Sequence, residues 1–66
     1  MSHITLKNRL RLLRKKRGVS QRELARRAGM QHPAICRIER GERVPTFLTM
    51  KKIAGALDVD VSDLFS

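Results

Sequence analysis

Apolar positions along the chain recur at helical spacing, and no stretch alternates apolar and polar residues as a half-buried strand does. Leu6, Leu10 and Leu13 fall at i, i+4 and i+7, which predicts a first helix from about Thr5 to Arg17. Gly18 stops it, and Lys15, Lys16 and Arg17 complement the negative end of its dipole. Leu24, Ala25 and Ala28 share one face of a second segment. Ser20 stands as its cap, and Glu23 completes an S-x-x-E capping box. Gly29 ends that segment. Ile35 and Ile38 then share one face of a third, which has Pro33 in its first turn and closes at Arg40 before Gly41. Pro45 and Thr46 announce a fourth, with Phe47, Met50, Ile53, Ala54 and Leu57 at helical spacing. Glycine inside a helix costs about 1 kcal/mol relative to alanine, so Gly55 is expected at a close packing contact. Asp60 caps a final short helix carrying Leu64 and Phe65. The chain therefore reads as one all-α, compact five-helix domain over residues 1–66.

The second and third segments, about residues 20–40, form a hairpin. Their small and branched apolar residues sit where two crossed helices touch, and Gly29 permits the positive φ of a sharp turn. The outer faces are crowded with arginine. A helix pair that is apolar inside and basic outside is suited to placing a helix in a DNA groove.

Charge changes the picture in the same direction. Fifteen Lys and Arg against six Asp and Glu give a net charge of +9. Residues 1–43 carry +10 and residues 44–66 carry −1, so the basic face is N-terminal and the C-terminal segment is neutral. So dense a charge points to a polyanionic partner. Cys36 is a lone cysteine and makes no internal disulfide, and no Cys/His grouping has zinc-finger spacing. No apolar run approaches a membrane span, and the N-terminus lacks the core of a signal peptide. A cytoplasmic chain with no metal, cofactor or small-molecule ligand is expected. Paired carboxylates and nucleophile–base groupings are missing too, which argues against an enzyme.

The segments LRLLR, SQRELARRAG, the Ile35/Ile38 pair, IERGERVP and ALDVDVSDLF, spread from about Leu6 to Phe65, together resemble the Cro/repressor-type (XRE) helix-turn-helix family. The resemblance implies a transcriptional regulator, expected to be a repressor, that binds a palindromic operator on double-stranded DNA as a homodimer, with its third helix reading the major groove. It implies that Gln31, His32, Pro33, Cys36 and above all Arg37 face the bases. Gln21, Arg22, Arg40 and Arg43 fall at positions implied to grip phosphate. Two departures stand out. Gln31 occupies a cap position where Ser or Thr is common, and Pro33 brings no hydrogen-bond donor to a position that is often polar.

Several residues have a bland reading beside the sharp one. Arg14 and Glu39 match a partly buried ion pair in relatives, with a DNA contact for Arg14 as the alternative. Cys36 reads as a passive thiol, with a redox switch as the sharper option. His3 and His32 read first as solvated or phosphate-contacting histidines, with pH-sensitive binding as the sharper option. Leu48, Val59, Val61, Leu64 and Phe65 are either core or part of a dimer interface, and the dimer is favoured. A protein-interaction module, such as an antitoxin with its toxin partner, is the alternative function on the same fold.

Overall fold

The computed structural model describes residues 5–65 as four α-helices and a terminal 3₁₀ turn. These are α1 (Leu6–Lys16), α2 (Gln21–Ala28), α3 (His32–Glu39), α4 (Phe47–Ala56) and the 3₁₀ turn Val61–Leu64. The fifth helix expected from the sequence is thus a single turn. Its bonds run from Asp63 N–H to the Asp60 carbonyl (2.9 Å) and from Phe65 N–H to the Ser62 carbonyl (3.0 Å), the i→i+3 pattern. Four residues are too few to establish an α ladder.

Hydroxyl caps start three of the helices. Thr5, Ser20 and Thr46 accept from the backbone N–H groups of Asn8, Glu23 and Thr49 at 3.4, 3.0 and 3.2 Å. Only half of the expected capping box at Ser20 forms. The Glu23 carboxylate turns forward to the guanidinium groups of Arg26 and Arg27 instead of back to the cap. Gln31, capping α3, makes no side-chain bond, as its chemistry leads one to expect.

All four helices close with the same pair of bonds. At α2, Met30 N–H reaches the Ala25 carbonyl at 2.8 Å and Gly29 N–H reaches that of Arg26 at 3.2 Å. The closing residue is left-handed each time, with φ of +68° at Gly29. At α4 the corresponding residue is Asp58, at φ +57°, where no glycine signals the stop. Aspartate tolerates that region better than most side chains.

Inside, α2 packs on α3 and α4, α1 on α3, and the 3₁₀ turn on α1 and α4. Leu10, Leu24, Ile35, Ile38, Ile53, Leu57 and Leu64 are fully buried where these elements meet. Burying each such side chain contributes about 1.5–3 kcal/mol. Two expectations for α4 fail. Phe47 is 60% exposed, with the Lys51 ammonium 5.9 Å from its ring centre. Gly55 faces open space, with no atom within 4 Å of where an alanine Cβ would sit, so no close contact explains it.

Candidate nucleic-acid interface

The orientation of α3 follows from its apolar spacing. Ile35 and Ile38 bury one side against α1 and α2, which turns the opposite side outward. Gln31, Pro33, Arg37 and Arg40 are exposed on that side. Arg22, at the start of α2, and Arg43, in the link to α4, are exposed as well. Arg40 lies 3.6 Å from Glu42. Arg43 lines a shallow groove of about 270 Å³ with Thr5, Leu6, Lys7, Ile38, Gly41 and Val44.

His32 and Cys36 differ from the rest of the expected reading set. They leave α3 on the flank beside α2, are half-buried, and meet the side chain of Gln21. The Cys36 thiol donates to Gln21 Oε1 at 3.2 Å, and His32 Nε2 lies 3.3 Å from the same oxygen and 3.2 Å from Cys36 Sγ. Gln21 Nε2 donates to Glu39 Oε1 at 3.0 Å. The Gln21 amide is therefore turned into the molecule, and what α2 presents outward at this position is the backbone N–H of its first turn.

Glu39 anchors this network. It is 2% exposed and receives Arg14 Nε at 2.6 Å on one oxygen and an Arg14 terminal nitrogen at 3.1 Å on the other. Arg14 also donates to the Val19 carbonyl at 2.9 Å, tying α1 both to the entry of α2 and to the end of α3. This fork-to-fork pairing satisfies a carboxylate that burial would otherwise penalise heavily.

Three further arginines of the first segment make contacts that linear spacing does not reveal. Arg9 donates to the Asp63 carbonyl at 2.7 Å, Arg11 to the Glu39 carbonyl at 2.8 Å, and Arg17 to the Asp58 carbonyl at 3.2 Å. Their acceptors lie 28 to 54 residues away. Arg17 in particular closes α4 from across the fold, although in the sequence it reads as a residue that complements the dipole of its own helix.

Among the residues considered for a dimer interface, Leu48 and Phe65 are 62% and 58% exposed. Val59 and Val61 are half-buried against the core. Leu64 is 1% exposed and belongs to the core itself, so it offers nothing to a partner. The 3₁₀ turn drives it inward between α1 and α4. His3 lies outside the described residues. Among the described residues, no three His, Cys, Asp or Glu side chains converge to hold a metal ion, and no helix is long and apolar enough to cross a membrane.

Comparison with known proteins matches the chain to a helix-turn-helix family over residues 10–64. The chain is 33% identical over 60 residues to the uncharacterized HTH-type transcriptional regulator YgzD of Bacillus subtilis, covering 91% of each chain. It is 34% identical over 59 residues to the immunity repressor protein of Bacillus phage phi105, covering 89% of this chain and 41% of that one. Among solved structures, the biofilm master regulator SinR in complex with DNA superimposes with a TM-score of 0.86 at 33% identity, covering 91% of this chain and 97% of that one.

Proposed function

The chain belongs to the helix-turn-helix family and is a DNA-binding transcriptional regulator, and we propose that it acts as a homodimeric repressor on a palindromic operator, with α3 in the major groove. The observation that carries this reading is the outward side of α3, where Arg37 stands exposed between Pro33 and Arg40 while Ile35 and Ile38 fix the helix from behind. The whole chain, residues 1–66, serves as one DNA-binding domain in this reading.

Roles follow from exposure and chemistry. Arg37 offers a fork of donors that fits guanine O6 and N7. Pro33 gives apolar contact to a thymine methyl, and Gln31 brings an amide to the helix start. His32 and Cys36 reach bases only by leaving Gln21, so they stand second. Arg22, Arg40 and Arg43 hold phosphates without reading sequence. Gln21 joins them through its backbone N–H, where the α2 dipole favours an anion. Leu48 and Phe65 supply the dimer contact, spacing the two reading helices about 34 Å apart. The likeness to a phage immunity repressor supports repression, by a bound dimer that excludes other proteins from the site.

Selection from random duplex oligonucleotides at two salt concentrations tests the reading. An inverted-repeat motif should emerge. With 6–10 phosphates neutralised, affinity should fall by about 10³–10⁵ between 50 and 200 mM salt. Failure to enrich any motif would overturn the proposal and favour a protein partner in place of DNA.

A further inference from the structure

We infer that Gln21, His32 and Cys36 form a site for a borderline-soft divalent cation of the zinc class, at the joint between α2 and α3. His32 and Cys36 are one helical turn apart, so both leave the same flank of α3, and α2 sets the Gln21 amide against them. Cys36 Sγ, His32 Nε2 and Gln21 Oε1 form a triangle with edges of 3.2, 3.2 and 3.3 Å. Tetrahedral zinc bonds of about 2.3 Å to sulfur and about 2.0–2.1 Å to nitrogen or oxygen put neighbouring donors roughly 3.3–3.6 Å apart. The three atoms therefore need to spread by only a few tenths of an ångström to admit the ion.

The surroundings hold these donors in the right sense. A carboxylate accepts hydrogen bonds and donates none, so the Glu39 oxygen fixes the nitrogen end of the Gln21 amide toward itself. The oxygen end must then face His32 and Cys36. Glu39 is in turn locked by the two bonds from Arg14. This is the outer-shell support that metal ligands commonly receive. At present the three electronegative atoms share the thiol proton and, in one tautomer, an imidazole proton. A cation would replace the thiol proton, which passes to solvent, leaving thiolate, neutral imidazole and amide oxygen as ligands. Water completes the fourth position, since His32 and Cys36 are only half-buried. Linear spacing points to no such site because the third donor is an amide 11 residues before His32. Occupancy would withdraw His32 and Cys36 from DNA. That consequence rests on the DNA-reading role proposed above, whereas the metal site does not.

Cobalt(II) titration of the reduced protein tests the site. The expected result is a thiolate-to-cobalt charge-transfer band that saturates at about one ion per chain, releases about one proton per ion at neutral pH, and disappears on adding zinc. Cys36→Ala should abolish the band and His32→Ala should weaken cobalt binding at least ~10-fold, with both variants keeping the wild-type circular dichroism spectrum. His3→Ala should leave the titration unchanged. If Cys36→Ala disturbs folding, the proton count and the His32→Ala arm still decide. No charge-transfer band in the wild type, its loss in His3→Ala, or saturation at one ion per two chains would each overturn the proposal. Operator affinity measured separately without metal keeps a failure here distinct from a failure of the DNA-binding reading.

Discussion

Glu39 ties the reading helix to the rest of the fold, and its burial makes Arg14 indispensable. Removing Arg14 strips both charge-assisted hydrogen bonds from the Glu39 carboxylate, leaving it the Gln21 amide and the Arg11 guanidinium 4.0 Å away, and breaking such a buried pair costs up to about 3–5 kcal/mol. Arg14→Ala should therefore lower the urea midpoint and melting temperature sharply. An unchanged melting temperature with lost DNA affinity would instead make Arg14 a DNA contact. Arg37 is the opposite case, exposed on the outer side of α3. Arg37→Ala should leave thermal unfolding unchanged while discrimination at one guanine position falls by about 1–3 kcal/mol, as read by competition between operator variants. Composition alone does not separate these two arginines. Their burial separates them.

At the scale of helices, the same substitution should have opposite signs at two glycines. Gly55 has ordinary helical geometry and open space around it, so Gly55→Ala should stabilise by about 1 kcal/mol through helix propensity. Gly29 also has open space, but its φ of +68° disfavours any side chain. Gly29→Ala should destabilise by about 1–2 kcal/mol for that reason alone. Chemical denaturation of both variants is the check, and a matching sign would refute the account. The outer face of α2 carries a pH effect as well. Hydrogen bonds from Arg26 and then Arg27 lower the Glu23 pKa from 4.5 to about 2. Because the folded value is depressed, this support for α2 is complete above pH 4.5 and is lost as pH falls toward 2. A carboxyl NMR titration of Glu23 should show the depressed midpoint, moving back toward 4.5 in high salt because the pairs are exposed.

The whole molecule sorts its charge by use. Arg9, Arg11, Arg14 and Arg17 cross-link α1 to distant carbonyl groups or to Glu39, which leaves Arg22, Arg37, Arg40 and Arg43 to make the outward basic face. Leu48 and Phe65 are among the exposed apolar residues of the C-terminal segment. A homodimer through these residues should be visible by sedimentation of the free protein. Leu48→Glu with Phe65→Glu should shift it to monomer while leaving the circular dichroism spectrum intact. A monomer at every concentration in the unmodified protein would rule out that interface.

Helix positions, the cap at Ser20, the stops at Gly18, Gly29 and Gly41, and the buried faces of α1 to α3 were legible in the sequence, because each depends on residues within a few places of one another. So was the family resemblance, which is a matter of motif order along the chain. Tertiary structure alone decided what depends on distant partners. It turned Gln21 inward to Glu39, set His32 and Cys36 against that amide, left Phe47 and Gly55 open, and drew Leu64 into the core. It also stopped α4 at Asp58, where Arg17 reaches the backbone from 41 residues away. Local spacing fixes which face of a helix is apolar, but only packing against other helices determines which polar side chains remain free to meet a ligand.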